Sequence, residues 1–235
     1  MLITGASGGI GRALCRTFAH NGWVVGVHYR QRIEEARQTL DFVREAGSDG
    51  AIYQADIRSS DAVLAMVNAI RTDYQALDAM ICNAGTADGH LVIRCPESEW
   101  VATIETNLTG TFHCLQAAAA AMIDRGGGGI VVVGSYAGAQ GSRGQAAYAA
   151  SKAGLVGLVK TAAREWGPSG IRVNLVYPGW KATPLAGNAM PSDEAFRDHT
   201  VGRPSGLDEV ARTIYLLALL KGVSGQIWNL DSRVI

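Results

Sequence analysis

The opening stretch Met1-Leu2-Ile3-Thr4-Gly5-Ala6-Ser7-Gly8-Gly9-Ile10-Gly11 decides how the rest of the chain is read. A very short apolar start runs straight into a glycine loop. Residues 12–20 follow as an amphipathic run with Leu14 and Phe18 on one face. Strand, glycine loop and helix form the opening of a dinucleotide-binding unit. The glycines let the backbone come close to a pyrophosphate, and the helix N-terminus presents unpaired N–H groups to it. The G-x-G-x-x-G spacing is half met: Gly9 and Gly11 fit, and Leu14 takes the third place. Such a loop also serves as a plain strand–helix turn, so the remaining chain has to carry the reading.

Alternation continues outward from that opening. Residues 23–28 read as an apolar strand, 33–46 as a helix ended by Gly47, and 51–55 as a strand closed by Asp56. Ser59 or Ser60 caps a helix running to about Tyr74. Residues 77–82 are a strand ending in Asn83-Ala84-Gly85. Pro96 and Glu97 open a long helix, broken near Asn107-Leu108-Thr109-Gly110, that reaches Arg125. Residues 126–129 turn into a strand that starts at Ile130, and 171–176 form another, ended by Pro178-Gly179. Residues 183–203 read as a mobile loop with helical pieces, 207–220 as an apolar helix and 226–230 as a last strand. About seven strands alternating with six or more helices imply right-handed parallel crossovers: an α/β, doubly wound Rossmann fold. With no internal repeat or linker, residues 1–235 read most simply as one domain. Ligands of such sheets bind beyond the carboxyl ends of the strands, where Gly5, Arg30, Asp56, Asn83, Ser135 and Pro178 all fall.

Composition narrows the partners. The chain has 235 residues, 48% hydrophobic, with a formal net charge of zero, which argues against a nucleic-acid surface. No apolar run approaches the ~18 residues that span a bilayer, and no basic segment precedes an apolar core as in a secretory signal. Cys15, Cys82, Cys95 and Cys114 are widely separated. They suggest no metal site or disulfide, and a reducing cytoplasm fits them.

The chemistry concentrates in Ile130-Val131-Val132-Val133-Gly134-Ser135 and Ala146-Ala147-Tyr148-Ala149-Ala150-Ser151-Lys152. The first is a buried strand that ends in a hydroxyl. The second is an alanine-rich helix, running to about Trp166, on which Tyr148 and Lys152 share a face one turn apart. An ammonium beside a phenol favours the phenolate, so Lys152 is expected to lower a pKa that is about 10 when unperturbed. Such a phenol exchanges a proton with a carbonyl or alcohol, and Ser135 can hold the same oxygen from the other side. A Tyr and a Lys at this spacing are also what one buried ring and one solvated charge look like. The convergence of strand ends is what favours a site.

These residues resemble the short-chain dehydrogenase/reductase family over essentially the whole chain. The matching positions are Thr4-Gly-x-x-x-Gly9-Ile10-Gly11, Asp56, Asn83-Ala84-Gly85, Asn107, Ser135, Tyr148-x-x-x-Lys152 and Pro178-Gly179. The nearest type is the 3-oxoacyl-carrier-protein reductases, supported by Val173-Asn174 and Gly225-Gln226. The resemblance implies roles. Tyr148 is the general acid in reduction. Lys152 lowers its pKa and holds the nicotinamide ribose. Ser135 polarises the substrate carbonyl, and Asn107 holds a proton-relaying water or, alternatively, only braces a helix kink. Gly5, Ser7, Gly9, Ile10 and Gly11 form the cofactor loop. Asp56 and Ile57 contact adenine, and Asn83, Ala84 and Gly85 line the adenosine ribose. Pro178, Gly179 and Thr183 wrap the nicotinamide amide. The implied partners are a small carbonyl or alcohol substrate, possible presentation on acyl-carrier protein, and further copies of the chain as a dimer or tetramer. The alanines of the two long helices suit such close pairing, though they suit packing on the sheet as well.

Cofactor choice follows from charge. An NAD site places a carboxylate at the end of the second strand. Here that end reads His28-Tyr29-Arg30-Gln31-Arg32, and a guanidinium suits a 2′-phosphate, so NADP(H) is favoured over NAD(H). Gly8 stands where many NADP-dependent relatives carry a basic residue, which leaves Arg30 most of the selection. The first strand is short, no Gly-Gly follows Asp231, and Pro168-Ser169-Gly170 lacks the arginine frequent in carrier-protein reductases. A sugar, polyol or polyketide ketone is the competing substrate, and a nucleotide-binding protein without turnover is the competing class.

Overall fold

The computed structural model describes residues 1–87, 89–181, 183 and 199–233. Seven strands, β1 (Leu2–Ile3), β2 (Val25–Tyr29), β3 (Gly50–Gln54), β4 (Ala79–Cys82), β5 (Gly128–Val133), β6 (Ile171–Tyr177) and β7 (Ile227–Asn229), form one sheet in the order β3-β2-β1-β4-β5-β6-β7. Every pairing is parallel. The chain winds outward from β1 to β3, returns to β4 and winds the other way. A crevice therefore opens beyond the carboxyl ends of β1 and β4, the topological switch point of such sheets.

Helices cover both faces: α1 (Gly9–His20), α2 (Ile33–Glu45), α3 (Ser60–Tyr74), α4 (Glu97–Ile104), α5 (Gly110–Ile123), the short α6 (Ala137–Gln140), α7 (Ala146–Trp166) and α8 (Leu207–Leu219). The strand side chains alternate between two cores, as the period of two requires. Ile130 and Val132 of β5 pack with Met66, Leu115, Leu155 and Val159 of α3, α5 and α7. Val131 and Val133 share the opposite core with Leu14, Phe18, Val43 and Ile214 of α1, α2 and α8. Buried on both faces, the strands read as continuous apolar runs. Among the described residues no helix is long and apolar enough to cross a membrane.

Several boundaries differ from the sequence expectation. Helix α1 begins at Gly9, inside the glycine loop, because the helical N–H groups start where the loop ends. Strand β5 begins at Gly128, paired to Ile171, two residues before the β-branched run. The break expected near Asn107 is a π segment, Glu105–Thr109, that joins α4 to α5 without leaving helical geometry. Ser59 is the cap of α3, its hydroxyl accepting from the Ala62 N–H at 3.3 Å. The loop expected over 183–203 falls largely outside the described residues. Ala117, Ala118, Ala119, Ala121 and Ala147 are buried in the chain's own core. Those alanines are covered within the chain itself, and Ala120, Ala150 and Ala153 stay exposed.

Candidate active site

The glycine loop is laid down on the switch point by main-chain geometry. Gly5 sits at φ 63°, in the left-handed region, where a Cβ would come 2.8 Å from the Ala84 Cα. A Cβ on Gly11 would strike the Gly5 carbonyl oxygen, and one on Gly9 the Thr183 methyl. Neighbouring side chains bind the loop to the sheet. Thr4 Oγ1 accepts from the N–H groups of Asn83 at 2.9 Å and Ala84 at 3.0 Å. Asn83 Nδ2 donates to the Thr4 carbonyl at 3.0 Å and the Gly5 carbonyl at 3.2 Å. His28 does the same from β2. Its Nδ1 accepts from the Gly5 N–H at 3.0 Å, so its Nε2 carries the proton and donates to the Ala55 carbonyl at 3.0 Å. Burial pushes the His28 pKa below its ordinary value.

A cavity of about 380 Å³ runs along this loop, lined by Gly5, Ser7, Gly9 and Ile10, by Asp56 and Ile57, and by Asn83, Ala84 and Gly85. Arg30 and Arg32 stand exposed on its rim. Arg32 reaches back over the loop, with a nitrogen 3.9 Å from where a Gly8 Cβ would lie. It thus supplies a guanidinium near the loop position where the sequence reading found none. Asp56 is held by Arg58 at 2.5 Å, and that hydrogen-bonded pair brings its carboxyl down to about 2.

A second cavity, of about 410 Å³, shares Ile10, Asn83, Gly85 and Thr183 with the first, and the two form one continuous cleft. Ser135, Tyr148, Lys152, Pro178 and Gly179 line it. Strand β5 delivers Ser135 at its carboxyl end, and α7 brings Tyr148 against it within hydrogen-bonding reach. Lys152 Nζ donates to the Val133 carbonyl at 2.8 Å and lies 5.7 Å from the Tyr148 ring centroid. Burial brings its ammonium down to about 8.

The phenol does not follow the sequence expectation. Burial pushes the Tyr148 pKa up, opposed by its hydrogen bond with Ser135. Lys152 directs its ammonium to the Val133 carbonyl instead of the phenol oxygen, so spacing on the helix placed the charge nearby but not its direction.

Asn107 sits fully buried in the π segment. Its Oδ1 accepts from the Thr86 N–H at 2.8 Å, and its Nδ2 donates to the Thr86 carbonyl at 2.8 Å and to Ser151 Oγ at 3.1 Å. Ser151 Oγ in turn donates to the Tyr148 carbonyl at 2.7 Å. The Asn107 side chain therefore ties the β4 exit to the turn of α7 that carries Tyr148. Gly85 makes room for it: a Cβ there would stand 3.1 Å from Asn107 Oδ1 and 3.6 Å from Lys152 Nζ.

The structure brings every expected site residue to this cleft or directly behind it. Sequence reasoning missed four participants. His28 looked like any strand residue, and Ser151 like a helix spacer. Lys181 lines the second cavity two residues past the Pro178-Gly179 motif, and Arg233 lines it from a tail with no motif. Among the described residues no cluster of His, Cys, Asp or Glu could hold a metal ion. The cleft fits an extended dinucleotide: a floor of glycine backbone packed too closely for side chains, a helix N-terminus opening on it, and basic side chains at its outer rim.

The short chain dehydrogenase family matches residues 1–194. The chain belongs to the short-chain dehydrogenase/reductase family and is an oxidoreductase of that family. It is 40% identical over 179 residues to the 3-oxoacyl-[acyl-carrier-protein] reductase FabG of Staphylococcus aureus, covering 76% of this chain and 73% of that one. It is 33% identical over 237 residues to the 3-oxoacyl-[acyl-carrier-protein] reductase of Synechocystis sp., covering 100% and 96%. Its fold matches a crystal structure from Sinorhizobium meliloti 1021, described as a short-chain alcohol dehydrogenase. The TM-score is 0.93 at 27% identity, over 98% of this chain and 94% of that one.

Proposed function

We propose that the chain, as a single domain, reduces a ketone to a secondary alcohol with NADP(H), and that 3-oxoacyl thioesters are its substrate class. The observation that carries this reading is the meeting of Ser135 and Tyr148 on the wall of a cavity shared with Lys152 and continuous with the glycine-loop cavity. The bound nicotinamide would supply the hydride to the carbonyl carbon. Tyr148 gives its phenolic proton to the carbonyl oxygen, and Ser135 donates to the same oxygen. A phenol kept protonated by burial is suited to the acid half of this reaction. Lys152, brought down to about 8, keeps most of its charge near neutral pH and can also pass a proton onward. Asn107 holds the turn that carries Tyr148.

NADP(H) over NAD(H) is supported by Arg30 and Arg32 on the rim, and by the commitment of Asp56 to Arg58. The names of the relatives support a thioester, presented on acyl-carrier protein. Assembly as a homotetramer or homodimer is supported by Trp100 and Val101 on α4 and Phe112 on α5, all exposed on helices flanking one face. Light scattering at micromolar concentration tests it, and a monomeric mass contradicts it. A cytoplasmic location is supported by four unpaired cysteines.

The test of the activity is NADPH consumption with 3-oxoacyl thioesters, sugar and polyol ketones, and polyketide-like ketones side by side. Thioesters should be reduced fastest. Turnover of only sugar or polyol ketones moves the substrate class, and no turnover with any of them ends the reductase reading.

A further inference from the structure

The end of the chain places a cation on the substrate side of the cleft that neither the dinucleotide cradle nor the proton path uses. Arg233 lines the cavity of Ser135 and Tyr148. Its guanidinium lies over the ring of Tyr136, the residue after Ser135, 3.9 Å from the centroid. Asp231 holds it from behind. Arg233 Nε donates to the two Asp231 oxygens at 3.1 and 2.9 Å, and Nη2 also donates to Asp231 Oδ2.

The turn itself is fixed. The Arg233 N–H donates to Asp231 Oδ1 at 2.8 Å, and Asn229 Nδ2 donates to the Arg233 carbonyl at 2.6 Å. The Asp231 side chain is 1% exposed and packs where a Cβ of Gly179 would lie. The arginine is thus built onto the Pro178-Gly179 turn and is not a loose surface charge.

That anchoring occupies one edge of the guanidinium. Among the described residues Nη1 makes no hydrogen bond, while an arginine has five N–H donors in a rigid fork. Nor does Asp231 neutralise the wall. Its Oδ1 is also 3.5 Å from His199 Nδ1, and its charge reaches Lys181. Lys181 itself is buried, with Nζ donating to Ser205 Oγ at 2.9 Å. The charged residues among the described lining of this cavity are Lys152, Lys181 and Arg233, all cationic.

We propose that Arg233 is a substrate-recognition residue and that the carbonyl compounds this site takes carry an anionic group, a carboxylate or a phosphate, which pairs with the outer edge of its guanidinium. The inference rests on the reductase reading above. A neutral ketone offers this edge only uncharged acceptors, without the paired oxygens of an anion. An oxyanion can take two parallel N–H bonds from it while the carbonyl rests on Ser135 and Tyr148.

Three substrates with one 3-oxoacyl thioester core test it: a neutral N-acetylcysteamine thioester, the same acyl group on 4′-phosphopantetheine, and an N-acetylcysteamine thioester whose acyl chain ends in a carboxylate. The wild-type chain should favour one anionic substrate over the neutral one in kcat/KM by about tenfold or more, the worth of a charged hydrogen bond. Which anion is favoured identifies its source. Arg233→Met keeps the stem over Tyr136 and should bring that ratio close to one; Arg233→Lys should restore part of it. A Met variant that slows all three substrates equally, or that weakens NADPH binding with the ratio unchanged, overturns the proposal. So does a wild-type chain that reduces the neutral and anionic substrates equally well. A wild-type chain that reduces none of the three overturns the thioester substrate class on which the proposal rests, a distinct failure.

Discussion

The two halves of the cleft are made of different material. Along β1 to β3 the wall is backbone. Gly5 and Gly9 bring main chain to the cavity while Gly11 is buried against Gly5, and His28 and Asn83 turn inward to bond the Gly5 main chain. Beyond β5 the wall is side chain. Ser135, Tyr148 and Lys152 face the cavity, and Asn107 and Ser151 are fully buried behind them. A wall of backbone is sensitive to added atoms and to charge on its rim, because its own groups are common to every residue. A wall of side chains is sensitive to the loss of one functional group, because no neighbour carries the same chemistry.

The sharpest break of this contrast is Tyr148→Phe. The ring and its packing stay, and only the proton is lost. Turnover of the best ketone should fall by a factor on the order of 10²–10⁴, the usual worth of a positioned acid, with the fold and NADPH affinity nearly retained. A folded variant that reduces its ketone at the parent rate would make Tyr148 a packing residue. On the backbone side, Gly11→Ala adds one methyl group against Gly5 and should cost about 1–3 kcal/mol, as overpacking does. Gly157→Ala, on the exposed face of α7 with nothing within 4 Å of its Cβ position, is the control. It should raise the melting temperature, since alanine is favoured over glycine inside a helix by roughly 0.8–1 kcal/mol. Equal effects at the two positions would erase the distinction.

A smaller effect is expected at the rim. The parent chain should bind NADPH at least about tenfold more tightly than NADH, roughly 1.4 kcal/mol, and Arg30→Asp should narrow or reverse the gap. Fluorescence titration with both cofactors measures it; equal affinities in the parent chain remove the charge argument. If Arg32 shares the load from above Gly8, Arg32→Ala should narrow the same gap.

The smallest effect is a pH dependence set by His28. Its pKa is lowered in the folded chain, so the unfolded chain binds the proton first. The His28 contribution is then complete above about 6.5, the unfolded value, and declines as pH falls below it toward the folded pKa; the buried Met1 amino group, brought down to about 6, adds its own decline, which remains in the His28 variant. Melting curves between pH 7 and 5 should show this decline, and His28→Gln, which keeps one acceptor and one donor, should lessen it. The Asp56–Arg58 pair acts lower, between its ordinary carboxyl value and about 2, and does not overlap that window. Parallel curves for the two proteins would mean that His28 does not titrate in this range.

What could be read from the sequence follows the same division. The strands were legible because parallel β-structure buried on both sides leaves apolar runs such as Ile130-Val131-Val132-Val133. The Tyr148 and Lys152 placement was legible because a helical turn is a fixed length. The start of α1 was not, since Gly9 and Gly11 have poor helix propensity and hide the first turn in the loop. The direction of the Tyr148 shift was not either. It is set by the burial of the phenol, which only the folded chain shows, while Lys152 spends its ammonium on Val133 of another element. Arg233 was invisible because its partners, Asp231 on one side and Tyr136 on the other, are brought together only by the folded tail.

The π segment has a consequence for heredity. Its hydrogen bonds span five residues instead of four, so Glu105–Thr109 stores one surplus residue in a widened turn. An in-frame loss of one codon there would let α4 and α5 fuse into an unbroken α-helix. The rest of α4 and α5 would keep its phase, and the loss would be local: Asn107 would leave Thr86 and Ser151. The joint between those helices is therefore a place where a deletion can make the secondary structure more regular and still undo the bonds that hold the Tyr148 turn.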